Sequence, residues 1–442
     1  MFLYTDQSPI QFQDELPEAV DVVIIGGGVI GVSTAWHLVK RGHSVLICDK
    51  GRVAGEQSSR NWGWVRVNGR DEAEIPVAIE SLRCWQELTD ELGDEIGFVR
   101  RGIVELAETE EDCAFFDEWI KLAKQHDLDT KLLSPAGIKD LIPAAKGQWR
   151  GAMITPSDGR AEPFRAVPAI ARGVRARGGH IRENCAVRAI DIQAGRATGV
   201  ITEHGAVRAN AVVCATGAWS NMFLANMGVS LPQLAVRATV ARTETAPNVF
   251  DGAAGLKDIY VRRRADGGYT VASAITEHLL GANSFRYFFS FLPSVKNAGD
   301  IRLAFGRDVT QAAVPRKCWS ADEVSPFESN RVLNPAPSSA MLGIMRSNLD
   351  KRLPELSKSK FAETWAVMID AMPDVVPVMD ALPNCDGLFL ATGFSGHGFG
   401  IGPGAGKVVA DLVEGRTPQH NLSRFRFSRF SDGSKLNPGP GL

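Results

Sequence analysis

The sequence predicts an α/β fold organised around a parallel sheet. Three observations carry this. A short apolar run, residues 21–25, leads straight into Gly26-Gly27-Gly28-Val29-Ile30-Gly31, a helical pattern, and a second apolar run ending on Asp49. Two later apolar runs, residues 211–214 and 388–391, also exit at glycines, Gly217 and Gly393. The composition, 44% hydrophobic and 23% charged over 442 residues, is that of a globular chain with a large core.

In chain order, residues 21–25 (DVVII) read as a strand buried on both faces, as in a parallel sheet. Gly26 turns the chain off that strand, Gly28 admits a pyrophosphate, and Gly31 lets helix and strand pack closely. The helix opens at Val29 and Ile30, where free N–H groups and a partial positive charge suit phosphate. It turns Val32, Ala35, Trp36 and Val39 inward and stops near Gly42. Residues 44–48 form the second strand. Asp49, 23 residues after Gly26, is placed to accept from a ribose diol, and the adjoining Lys50 is grouped with the cofactor-binding residues. The second exit is Ala215-Thr216-Gly217, with Trp219 just beyond. The third runs through Gly396-His397-Gly398-Phe399-Gly400-Ile401 into a helix with Val408/Leu412 and Val409/Val413 on its buried face, ending at Gly415.

NAD and FAD both fit the first unit. Three glycine exits on one sheet edge favour an extended cofactor that touches all of them, which suits FAD. The N-terminus of the last helix suits negative charge on a reduced flavin ring.

Other classes are excluded by simple counts. Lys plus Arg total 49 against 51 Asp plus Glu, so no nucleic-acid partner is expected. The seven cysteines and eight histidines are scattered, with no CxxC, which predicts neither a disulfide framework nor a metal site. The N-terminus lacks the pattern of a secretion signal, and the apolar runs are far below the roughly 20 residues of a membrane helix. The expectation is a cytoplasmic protein without a membrane span. Residues 287–292 (YFFSFL) read as a buried segment in preference to a surface for peripheral contact at the inner membrane face. Residues 431–442, rich in Gly, Pro and Ser, predict a flexible tail.

Four segments together resemble a known family: DVVIIGGGVIGVSTAWHLVKRGHSVLICDK, AGEQSSRNWGW, ANAVVCATGAWS and GLFLATGFSGHGFGIGPGAGKVVADLV. The chain resembles the D-amino-acid oxidase-type superfamily of FAD-dependent amine oxidoreductases. Residues 54–60 (AGEQSSR), 262–269 (RRRADGGY) and 324–328 (VSPFE) with Arg331 bring it closest to the bacterial L-amino-acid deaminases.

The resemblance implies an FAD-binding Rossmann-like domain, residues 18–90, 160–230 and 376–425. Interleaved with it is an α+β substrate domain having an antiparallel sheet, residues 91–159 and 231–375. It places Gln57, Ser58, Ser59 and Arg60 on FAD phosphate or ring atoms, and Asn61, Trp62, Gly63 and Trp64 near the ring. Trp64 would wall off water. Val187 would meet the adenine end, and Gly396, Gly398, Phe399, Gly400 and Ile401 the flavin carbonyl edge. His397 would point to the substrate. Residues 363–368 hold no cysteine at the position where some members attach FAD, which implies noncovalent FAD.

The implied reaction is hydride transfer from an amino-acid or amine substrate to flavin N5, giving an imine that hydrolyses to a keto acid and ammonia. L-amino acids are favoured; D-amino acids and sarcosine-like secondary amines are the near alternatives. A flavin subunit of a multi-component electron-transfer complex and an NAD-dependent dehydrogenase are alternatives of other classes. Alternation on the strand puts Arg262 and Arg264 on one face and Arg263 on the other. The resemblance makes Arg262 the carboxylate anchor, a task its planar fork suits, with Arg331 and Arg237 behind it. Arg262, His397 and Trp64 are thus the candidate catalytic set. The acceptor is O2 or a quinone or other electron carrier; residues 268–272 carry no lysine, which leans toward the carrier. Oligomeric state is left open.

Overall fold

The computed structural model describes residues 3–295, 301–306 and 318–439. Strand β1 (Ala19–Ile25) buries Val22 through Ile25 completely or nearly so, because it has a parallel neighbour on each side. One neighbour is β2 (Val45–Cys48), reached through the crossover helix α1 (Val29–Lys40). The other is the long strand Gly205–Cys214. That strand divides its far edge. Residues 205–208 pair antiparallel with Arg196–Thr202, and residues 212–214 pair parallel with Leu388–Thr392. His180–Arg182 extends the sheet beyond β2, while Val187–Gln193 and Val378–Ala381 complete it. The three predicted exits, after Ile25, Cys214 and Thr392, therefore leave one edge of one sheet.

Among the described residues the second sheet has ten strands. Its spine is the pairing of Leu234–Thr243 with Phe361–Ala371. Its strands run antiparallel apart from two parallel pairings, Ala253–Gly255 with Ile103–Ala107 and Thr276–Leu279 with Ile301–Ala304. A three-stranded antiparallel ribbon joins β3 (Trp64–Val65) to Gly159–Arg160 and Val99–Arg100. Two short elements frame the site. Helix α2 (Gln57–Arg60) precedes β3, and helix α3 (Ile75–Leu92) follows it with Pro76 in its first turn, where a missing N–H goes unnoticed. α1 and α3 both pack on the closing helix Gly398–Val413.

Residues 287–292 depart from the buried reading. Tyr287 and Phe291 are buried, but Phe288 and Phe289 are 50% and 84% exposed. The helix Phe288–Val295 turns its apolar residues to both sides, and one side faces out beside Phe285, Leu303 and Phe305. Among the described residues no helix is long and apolar enough to cross a membrane. The described end of the chain runs back to the turn after the strand Phe361–Ala371, where the Gly439 N–H donates to the Asp374 carbonyl.

Candidate active site

At the edge where the three exits meet lies a continuous cavity of about 1440 Å³. Gly26, Gly28, Val29, Ile30, Asp49, Lys50, Gln57, Ser58, Asn61, Trp62, Trp64 and Val187 line it, as do Ala215, Thr216, Gly217, Trp219, Gly396, His397, Gly398 and Phe399. Local chemistry explains the shape. Gly26 has φ +109°, and a Cβ there would sit 2.4 Å from the Ala215 carbonyl oxygen. A Cβ on Gly31 would sit 2.0 Å from the Gly26 carbonyl oxygen, so α1 closes directly onto the turn. The first free N–H of α1, on Val29, donates to Ser58 Oγ at 2.8 Å. Asp49 accepts from Gly27 N–H at 2.8 Å and Gly51 N–H at 2.7 Å, and burial pushes its carboxyl upward. Lys50 Nζ lies 4.4 Å from the Trp219 ring centroid, and Glu56 holds both, accepting from Lys50 Nζ and Trp219 Nε1.

Seven predicted site residues do not line the cavity: Gly31, Ser59, Arg60, Gly63, Arg262, Gly400 and Ile401. Gly31 does its work by packing. Ser59 and Arg60 lie on the far side of the helical turn α2, whose 100° rotation per residue leaves Gln57 and Ser58 facing in. The buried Arg60 guanidinium donates instead to Asn334 Oδ1 and the carbonyls of Tyr4 and Ala366. Gly63 backs onto the Ala161 carbonyl, and the Gly400 carbonyl accepts from Ser81 Oγ and Trp85 Nε1 on α3.

Arg262 requires the largest correction as a substrate anchor. Its side chain and that of Glu162 are each 1% exposed and joined at 2.9 Å, and its Nε donates to the Trp62 carbonyl. Burial, the largest influence, would raise Glu162, but Arg262, Arg264 and the Ala265 N–H together outweigh it and hold the carboxyl low. Arg237 is likewise engaged, by Glu277 at 2.8 Å. Arg331 reaches the cavity wall but is bound to Glu203 and the Lys50 carbonyl.

The rest of the wall combines aromatic and charged groups. Trp62 stacks on Tyr260 with centroids 4.9 Å apart, and Trp64 meets both edge-on. Arg66 lies over Trp64 at 5.2 Å and donates from Nη1 to Glu105 at 3.0 Å. Arg70 is buried nearby, and burial pushes its guanidinium down to about 9. Asp158 accepts from Val67 and Asn68 N–H and fixes the segment that carries both arginines. Across from it, His397 Nδ1 lies 2.9 Å from Glu74. Four buried polar atoms of this wall have no hydrogen-bond partner among the described residues: Arg66 Nε, Asn68 Oδ1, Arg70 Nη1 and His397 Nε2.

FAD fits these residues. The cavity exceeds the roughly 300–1,000 Å³ of pockets for drug-sized ligands. The glycine turn and the α1 N-terminus suit the pyrophosphate, Asp49 the ribose, and the other two exits the ring. Sequence reasoning did not single out Glu56, Arg66, Arg70, Glu74, Glu105 or Tyr260. For Arg66 a signal existed, since it lies two residues beyond Trp64 on the same extended run.

Known proteins agree with this geometry. A Homo sapiens mitochondrial sarcosine dehydrogenase is 25% identical over 94% of this chain, which spans only 42% of that relative. Glycine oxidase from Geobacillus kaustophilus is 25% identical, with 92% of this chain and 97% of the relative covered. The structure of L-amino acid deaminase from Proteus myxofaciens in complex with anthranilate superposes with a TM-score of 0.91 and 30% identity, covering 96% of each chain. The deaminase from Proteus vulgaris gives 0.88 and 27%, over 96% of this chain and 100% of the other. The family model described as DAO, FAD dependent oxidoreductase, matches residues 21–412, which include all three exits. This chain belongs to that family of FAD-dependent oxidoreductases.

Proposed function

We propose that the chain oxidises the CH–NH2 group of an α-amino acid, L favoured, to an imino acid that water hydrolyses to a keto acid and ammonia. The observation that carries this reading is a set of buried polar atoms, unpartnered among the described residues, on side chains that line the cavity together with Trp62, Trp64 and Tyr260. Bound FAD would supply the hydride acceptor. Arg66 is the carboxylate anchor in this reading. Its Nη1 is taken by Glu105, and its Nε edge is free to donate. Arg70, a desolvated cation with an unpartnered Nη1, gains from the same anion. Burial raises Glu105 from its ordinary value, and the charges of Arg66 and Arg70 oppose that rise. Trp62, Trp64 and Tyr260 exclude water beside the reacting carbon.

FAD is held noncovalently in this reading. Cys48 lines the cavity, but its hydrogen bond with Cys185 and its burial push the thiol well up, against thiolate attachment. The likeness to the two deaminases supports L-amino acids. The sarcosine dehydrogenase and glycine oxidase relatives favour the second reading, oxidation of glycine or an N-methylated amino acid. Anaerobic bleaching of the yellow protein by L-, D- and N-methyl amino acids separates the two. Bleaching by N-methyl but not by primary L-amino acids would replace the first with the second. Turnover with oxygen against a quinone analogue identifies the acceptor, and liposome sedimentation tests contact of the exposed aromatic face with a membrane.

A further inference from the structure

Oxidation at an amine carbon needs the nitrogen neutral, because its lone pair becomes the second C–N bond. An amino acid near pH 7 brings an ammonium instead. We propose, resting on the amino-acid reading above, that His397 takes the ammonium proton and that Glu74 positions and supports it.

The geometry is specific. His397 precedes the closing helix, its side chain is 2% exposed, and it lines the cavity. Nδ1 stands 2.9 and 3.2 Å from the two oxygens of Glu74, whose side chain is fully buried. Burial would raise Glu74, but His397 and Arg70 outweigh it and keep the carboxylate ionised. An ionised acceptor at Nδ1 fixes the imidazole proton there and leaves a lone pair at Nε2. Nε2 is buried and unpartnered among the described residues. It is therefore an acceptor in a wall where the unpartnered nitrogens of Arg66 and Arg70 are donors. A zwitterionic amino acid complements that pattern, carboxylate to the arginines and ammonium to His397.

The surrounding charges suit transfer in one direction. Burial first, then Arg70, lowers the His397 imidazole from its ordinary range, with Arg66 acting the same way. Glu74, at the start of α3, acts oppositely and stabilises the imidazolium once formed. Glu105, from the strand Ile103–Ala107, offsets Arg66. One N–H proton of the substrate moves to Nε2. FAD, when bound, would accept the Cα–H electron pair as hydride, and the nitrogen lone pair that His397 has freed closes the C=N bond. The substrate loses two electrons, and the His397 proton returns to water after product leaves.

The test uses the full chain with FAD bound and follows anaerobic bleaching from pH 6 to 10. His397→Asn and His397→Gln should retain FAD yet bleach about 100-fold more slowly at pH 7, within the usual range for a lost proton acceptor. The deficit should shrink about tenfold per pH unit until the free ammonium deprotonates. A deficit equal at every pH means a structural role and overturns the proposal. Glu74→Gln should lower the rate about tenfold with the wild-type pH shape, and Glu74→Asp should restore part of it. A second readout needs no turnover. With 15N-histidine, 2-aminoisobutyrate, which has an ammonium but no α-hydrogen, should shift the Nε2 resonance of one neutral imidazole at pH 8, because its lone pair accepts the ammonium N–H. Isobutyrate should not, and the signal should vanish in His397→Asn. No shift in wild type also overturns the proposal. Wild-type protein that no amino acid bleaches or protects would instead sink the substrate reading on which this rests.

Discussion

Replacing Arg262 by Met distinguishes a structural ion pair from a substrate anchor. The substitution removes the guanidinium and leaves Glu162, 1% exposed, without the cation that holds it ionised. It also strips donors from the Trp62 carbonyl and Thr270 Oγ1. Breaking one side of a buried pair costs about 3–5 kcal/mol. Unfolding entropy is about 2.1 cal/mol/K per residue, or about 0.9 kcal/mol/K for 442 residues melting as one unit. Tm should therefore fall by about 3–5 °C. Adding Glu162→Gln removes the stranded charge and should recover much of that loss. Scanning calorimetry reads the stability, and steady-state kinetics on the same preparations read KM. KM should rise by less than tenfold, the equivalent of about 1.4 kcal/mol. An unchanged Tm with a KM raised a hundredfold would refute the structural assignment and return Arg262 to the substrate.

Arg66→Ala should do the reverse: loss of a charge-assisted contact of about 1.5–3 kcal/mol raises KM about 10–150-fold, and Lys should restore only part of it because the planar fork is gone. Gly26→Ala, whose Cβ would lie 2.4 Å from the Ala215 oxygen at φ +109°, should yield protein with little flavin absorbance per chain. The Arg188 hydrogen bond holds Glu328 at about 2, below its ordinary 4.5. Because the folded value is the lower one, that stabilisation is full above pH 4.5 and lost as pH falls toward 2. Glu328→Gln should flatten the acid limb of a stability–pH curve in that window and leave stability near pH 7 less affected by further acidification.

Much of the cofactor side was legible because its signals are local. Some thirty residues from β1 to Asp49 hold the strand, turn, helix and acid in an order that few other structures use. The later exits repeat the strand-to-glycine pattern. Strand alternation also held at Arg262 and Arg264, which are both buried. What it concealed was the partner, since Glu162 is 100 residues away. The pairing of Glu74 with His397 spans 323 residues, and no short pattern announces it. Ser59 and Arg60 were misplaced for a different reason. The resemblance places all four residues of 57–60 on the cofactor, whereas a single helical turn there sends half of them away. Residues 287–292 show the limit of hydropathy, which measures how apolar a run is and not which of its sides finds a neighbour.

The division of the far edge of Gly205–Cys214 has a consequence for biosynthesis. The strand beside β1 is made long after β1 itself, and Leu388–Thr392 follows later still. At about 5–20 residues per second, the ribosome takes roughly 20–70 s to travel from the first glycine exit to the third. Until then residues 22–25 and 45–48, wholly apolar in the finished sheet, lack some of the neighbours that cover them. Flavin capture accordingly follows synthesis of the third exit, and chaperone shielding of that early segment should govern how much yellow protein a cell accumulates.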